Sequence, residues 1–147
     1  MFDEWAAIAI LYIAMATAPS SLQSYALALL RIVAGYTFTL HGIQKFGALG
    51  GLGGHTAPMY SMLWFAGIIE SIGGPLIILG LFTRPVAFIL CGEMAVGYFT
   101  AHVHMGPWLY PLLNRGEITV LYCFFFLYLV TAGAGAFSLD GLIWKRG

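Results

Sequence analysis

Four stretches of about twenty mostly apolar residues, each closed by glycine, proline or charge, constrain this chain more than any other feature. A helix rises about 1.5 Å per residue and a bilayer core is about 30 Å thick, so each stretch can cross it. The first runs from about Ser24 to Phe46, opened by Pro19-Ser20-Ser21 and closed by the glycine-rich loop Gly47 to Gly54. The second runs from about Tyr60 to Phe82. Thr83-Arg84-Pro85 then turns into the third, about Val86 to Met105, since proline at a helix start loses nothing by lacking its N–H. The fourth, about Glu117 to Phe137, is entered through Pro107, Pro111 and Asn114-Arg115-Gly116-Glu117, which sets the Glu117 carboxylate in the first turn, where it complements the helix dipole. A further apolar stretch, Trp5 to Ala18, spans only about 21 Å as a helix and suits an interfacial or re-entrant segment. Asp3 and Glu4 stand where a signal peptide would carry positive charge.

With 61% hydrophobic and 8% charged residues, and six basic side chains balancing six acidic ones, the composition excludes a disordered tail, an acidic activator and a nucleic-acid module. The expected fold is all-α, an integral membrane four-helix bundle forming one transmembrane domain over residues 1–147. Its surroundings are the lipid bilayer, and any chemistry sits between helices. Arg84, Lys145 and Arg146 outnumber Lys45 and Arg115 on the opposite side, which puts both termini in the cytoplasm; the expected location is a bacterial inner membrane.

A charge inside hydrocarbon costs several kcal/mol unless it is paired or hydrated, so each buried ionisable residue is a functional candidate. Arg31 and Glu93 fall at matching depths in antiparallel spans, about 10 Å from the side of the Thr83 turn, which predicts an ion pair. His41 and Lys45, four apart, share one face of the first helix, with Arg31 on the same broad stripe. Glu70, near the middle of the second span, must face His41, Lys45 or water, or carry a proton. His102 and His104 end the third span at the depth of His41, and His55 lies at the same membrane face. An imidazole set could ligate a metal or haem iron, but two residues apart His102 and His104 point to different faces. Regular periodicity groups His104 with Glu93, Gly97 and Thr100, and His102 with Cys91 and Tyr98.

The two cysteines, Cys91 and Cys123, fall more than about 10 Å apart along the membrane normal on these spans, too far for a disulfide, and read as small core hydrophobes. Phe124-Phe125-Phe126 could wall a flat quinone slot or simply pack against lipid. Gly67 with Ser71, and Thr131 with Gly135, permit close helix approach.

The polar positions and their flanks resemble the DoxX family of small membrane proteins. The resemblance rests on Leu30-Arg31-Ile32-Val33 leading to His41-Gly42-Ile43-Gln44-Lys45-Phe46, on Gly67-Ile68-Ile69-Glu70-Ser71-Ile72-Gly73-Gly74 through Leu79-Gly80-Leu81-Phe82-Thr83-Arg84, on Glu93-Met94 followed by His102, on Asn114-Arg115-Gly116-Glu117, and on Gly133-Ala134-Gly135 with Ser138-Leu139-Asp140. It implies a four-helix membrane bundle. It also implies an association with quinone-linked sulfur oxidation beside a partner oxidoreductase, or with complexes that handle thiol and oxidative stress. Carried over, the family's polar positions are Arg31, His41, Lys45, Glu70, Glu93, His102, Asn114 and Glu117. His104 and the Trp5 to Ala18 stretch depart from the pattern.

The leading expectation is a membrane component of a quinone-linked redox system. Glu70, with His41 or His102, relays a proton to or from a quinone carbonyl, while Lys45, Arg31 and Glu93 hold the cofactor. With no flavin, haem or dithiol motif in the sequence, electrons would come through a partner oxidoreductase, or the chain would act as a homo-oligomer. The rivals are a non-catalytic scaffold or chaperone subunit and a small-solute or proton transporter.

Overall fold

The computed structural model describes residues 20–144. The Trp5 to Ala18 stretch and the basic pair Lys145 and Arg146 lie outside the described residues. Four principal helices follow one another: α1 (Ser20–Gln44), α2 (Met62–Leu79), α3 (Thr83–Gly97) and α4 (Glu117–Ala132). A 3-10 turn at Ala48–Gly50 sits in the glycine loop, α3 runs on through a π turn at Tyr98–His102, and a short α5 (Leu139–Ile143) follows α4. Among the described residues the fold is all-helical, and α1 and α2 are long and apolar enough to cross a membrane. α1 packs along α2 and α3 along α4, with α2 and α3 joined by the tight Gly80 turn.

Small residues set the closest of these approaches. A Cβ on Gly42 would stand 2.5 Å from the Ser71 amide nitrogen, and one on Gly35 would stand 2.9 Å from the Gly74 carbonyl oxygen, so α1 and α2 touch backbone to backbone. Phe38, Ile77, Leu90, Phe126 and Leu129 fill the shared core. Outside it the usual polarity of a protein surface is absent, and Leu29, Phe88, Phe99, Leu121 and Phe124 are each more than half exposed.

Helix ends differ from the sequence expectation, and the differences matter. Thr83-Arg84-Pro85 is the first turn of α3 rather than the link before it. Phe82, in the left-handed region at φ 49°, lets that helix begin early, and Asp140 caps it from a distance. The Asp140 carboxylate accepts from the Phe82 N–H at 2.7 Å and the Thr83 N–H at 2.8 Å, which satisfies two orphan donors and answers the helix dipole. At the other end of the pair, α4 stops at Ala132 because Gly133 turns left-handed at φ 82°, five residues before the expected limit.

Arg31 and Glu93 do not pair. Arg31, fully buried, sends Nη1 to the carbonyls of Ile77 (2.5 Å) and Ile78 (2.6 Å), and Nη2 to those of Phe137 (2.9 Å) and Ala136 (3.4 Å). The last carbonyls of α2 lack intrahelical partners and lie at the negative end of its dipole, so they attract a guanidinium as a carboxylate would. Depth matching overlooked these backbone acceptors. The planar fork joins α1, the end of α2 and the segment after α4, and we expect Arg31→Ala to destabilise the fold by about 2–4 kcal/mol, with Arg31→Lys recovering less than half. Thermal unfolding in mild detergent checks both variants.

Candidate functional site

The four long helices leave a cavity of about 310 Å³ between them, toward the end that carries the glycine loop and the connection to α4. α1 contributes Phe38, His41 and Lys45 to its wall, and α2 contributes Glu70. Glu93, Met94 and Gly97 come from α3, Ala101 and His102 from the π turn, Arg115 from the loop, and Thr119 and Tyr122 from α4. Five of the six residues singled out from the sequence, Glu70, His41, His102, Lys45 and Glu93, therefore line one space. Arg31 does not reach it; its guanidinium is spent on the carbonyls at the opposite end of the bundle.

The Lys45 ammonium forms an ion pair with the Glu70 carboxylate and also donates to the His41 carbonyl at 3.3 Å. The Gly42 approach makes this pair possible, because a side chain there would push α1 off the Glu70–Ser71 backbone. Both members are largely withdrawn from solvent, with side chains 12% and 4% exposed, so each charge depends on the other. Across the cavity Glu93 Oε2 is buried without any hydrogen-bond partner. Arg31 Nε, Ser71 Oγ and Thr83 Oγ1 are buried without a partner as well, but of these four residues Glu93 is the one that lines the cavity, where a ligand could complete its bonding.

His102 enters through a local change of helix geometry. In a regular α-helix the nine residues from Glu93 turn by about 180°, placing His102 on the far face. The π turn, closed by the Val103 N–H to Tyr98 carbonyl bond at 3.2 Å, adds a residue to that turn and brings His102 back by about 100°. This corrects the periodicity reading, which grouped His104 rather than His102 with Glu93; His104 is exposed. His102 Nδ1 lies 3.2 Å from the Asn114 carbonyl, which only accepts, so Nδ1 carries the proton and Nε2 accepts from the Thr119 hydroxyl at 3.1 Å. Fully buried Asn114 organises the loop behind it, donating to the Tyr98 hydroxyl at 2.9 Å and accepting from the Gly116 N–H at 2.9 Å.

His41 is more exposed and stands edge-on to Tyr122, with ring centroids 6.3 Å apart, while the Tyr122 hydroxyl meets Thr37 Oγ1 at 2.5 Å. Thr119 and Tyr122 were not among the sequence candidates. Their spacing of three, repeated from Cys123 to Phe126, marks the inner face of α4, but a threonine and a tyrosine among so many aromatics carry no signal of their own. Glu117 begins α4 as expected and is exposed outside the cavity, and His55 is exposed in the glycine loop. Among the described residues no three His, Cys, Asp or Glu side chains converge in a way that could hold a metal ion.

Comparison with known proteins follows this geometry closely. Residues 26–103, which carry Arg31, His41, Lys45, Glu70, Glu93 and His102, match the family described as DoxX. An uncharacterized protein of Haemophilus influenzae is 49% identical over 84% of this chain and 95% of its own length. A Bacillus subtilis protein described as "Putative oxidoreductase CatD" is 27% identical over 80% of this chain and 86% of its own. No solved structure matches.

The ion pair makes a sharp expectation. Lys45→Met alone leaves a buried carboxylate without its counter-charge and should cost about 3–5 kcal/mol, whereas Lys45→Met with Glu70→Gln should recover most of the loss. A double-mutant cycle on thermal stability reads the difference.

Proposed function

The chain belongs to the DoxX family, and from that premise we propose that it is an integral membrane four-helix bundle whose cavity binds a quinone ring within a redox system completed by a partner oxidoreductase. One observation carries the reading: a mostly apolar cavity that includes the rings of Phe38 and Tyr122 gathers Lys45, Glu70, Glu93, His41 and His102, and holds a buried Glu93 oxygen that nothing in the protein satisfies. The residues fit such a ligand. Phe38 and Tyr122 offer flat apolar surface, the volume suits a headgroup, and hydrogen-bond donors stand on several sides for carbonyl oxygens.

A bound quinone supplies a two-electron, two-proton acceptor. The chain supplies position and protons. Glu70 holds Lys45 at the cavity wall, where the ammonium opposes negative charge developing on a ligand oxygen. Glu93, protonated at the unpartnered Oε2, donates a hydrogen bond and is placed to give up that proton. His41, the more exposed of the two ring bases, exchanges protons with the outside. His102 is held by both ring nitrogens, and accepts a proton at Nε2 only when the Thr119 hydroxyl turns away. The description of the Bacillus subtilis relative as an oxidoreductase supports this class of chemistry. The reading includes the inner membrane with both termini cytoplasmic, and either a partner protein or a second copy beside the lipid.

Ubiquinone-1 titrated into the protein in nanodiscs tests it, with tryptophan quenching as readout. Binding should weaken about tenfold or more in Glu93→Gln and His41→Ala while the unfolding temperature stays near wild type, since neither side chain holds the fold together. A protein that binds no quinone, and in which Glu70→Gln affects only stability and assembly, is instead a scaffold.

A further inference from the structure

The chain has two cysteines, and they meet. Cys91 on α3 and Cys123 on α4 have their sulfurs 3.7 Å apart, and the Cys123 thiol also lies 3.5 Å from the Cys91 carbonyl. The depth reading that separated them failed on helix ends. Cys91 lies eight residues inside the true start of α3 at Thr83, about 12 Å, and Cys123 nine residues from the true end of α4 at Ala132, about 13.5 Å, so both occupy one level. Both thiols are free and half-buried at the α3–α4 contact. Closing them to a disulfide requires the sulfurs to approach by about 1.6 Å, within reach of side-chain rotation and a small helix adjustment.

The pair sits one turn from the cavity on both helices. Met94 is three residues after Cys91 and Thr119 four before Cys123, and both side chains line the cavity, so helical repeat sets the thiols about 5 Å beyond its wall. Two thiols in contact beside a space for an aromatic acceptor are what a two-electron exchange needs.

We infer that Cys91 and Cys123 form a redox-active dithiol that reduces a quinone seated in the adjoining cavity. The inference rests on the quinone site proposed above and gives the chain its own two-electron carrier. In the forward direction both S–H bonds break and one S–S bond forms. The two electrons and two protons released pass to the quinone, whose two carbonyl oxygens become the hydroxyls of a hydroquinone. Glu93, two residues after Cys91 on α3 and in the cavity wall with Lys45 and Glu70, is the titratable group nearest in sequence to take up a proton on the cavity side. The partner then acts as the reductant that restores the dithiol, by thiol–disulfide exchange.

The test uses the full chain in nanodiscs, reduced, freed of reductant and held without oxygen. Ubiquinone-1 is added, free thiols are counted by maleimide mass shift, hydroquinone is followed by absorbance, and bound ubiquinone-1 is measured separately by tryptophan quenching. The expected result is the loss of two thiols for each hydroquinone formed, with an intramolecular disulfide in the mass spectrum. Cys91→Ser and Cys123→Ser should form neither hydroquinone nor disulfide while binding ubiquinone-1 as wild type does. Ubiquinone-1 bound with both thiols still free overturns the dithiol and leaves the quinone site standing. No ubiquinone-1 bound overturns the quinone site and the couple with it. Hydroquinone formed at the wild-type rate by Cys91→Ser also overturns the dithiol.

Discussion

The guanidinium of Arg31 is the fixed point of the molecule. A charge withdrawn from water must find partners, and this one finds the carbonyls where α2 ends and where the chain turns back after α4. Beside it Asp140 accepts from the first amides of α3 while its own N–H donates to the Gly80 carbonyl at 2.9 Å. A cation at a helix C-terminus and an anion at a helix N-terminus are thus placed on either side of one short turn, each matched to the dipole it meets. That end of the bundle is tied together by side chains that bond backbone groups.

With one end tied, the opposite end is free to hold chemistry. The Gly42–Ser71 approach brings α1 and α2 together, and the π turn re-aims α3, so that three helices present titratable groups to a space they do not fill. Lys45 and Glu70 neutralise each other, which removes most of the cost of their burial, and Arg115 adds a cation to the wall. Such a space suits a ring whose polar edges accept hydrogen bonds from cationic side chains. Asn114 then fixes the connection over the mouth, so that His102 and Thr119 hold their positions relative to α3.

Much of this was legible in the sequence. Four apolar runs gave the helices, and ionisable residues in apolar surroundings gave five of the cavity side chains, because hydrocarbon tolerates such groups only where they are used. What was not legible came from helix ends and phase. A run of apolar residues does not show where Phe82 and Gly133 turn left-handed, and errors of three and five residues at those ends moved Cys91 and Cys123 from contact to separation. An ideal 100° per residue does not anticipate a π turn, so His102 was assigned the wrong face. Side-chain depth also cannot foresee backbone acceptors, so Arg31 was matched to a carboxylate when the carbonyls of α2 were nearer.

The partners that these groups choose distinguish those that tie the helices from those that face the cavity. Arg31, Asp140 and Asn114 direct most of their bonding capacity at backbone, where geometry is dictated by helix termini and turns, and a ligand has little left to displace. Glu93 presents a buried oxygen with no partner, His41 is held by ring contact alone, and the two thiols have only each other and one carbonyl. Among the described residues Arg31 Nε, Ser71 Oγ, Thr83 Oγ1 and Glu93 Oε2 are all buried without a partner, and Glu93 is the one of the four that lines the cavity. A carboxyl oxygen left unbonded in an apolar interior costs about 1–3 kcal/mol. The cost is consistent with a site whose bonding is finished by a ligand.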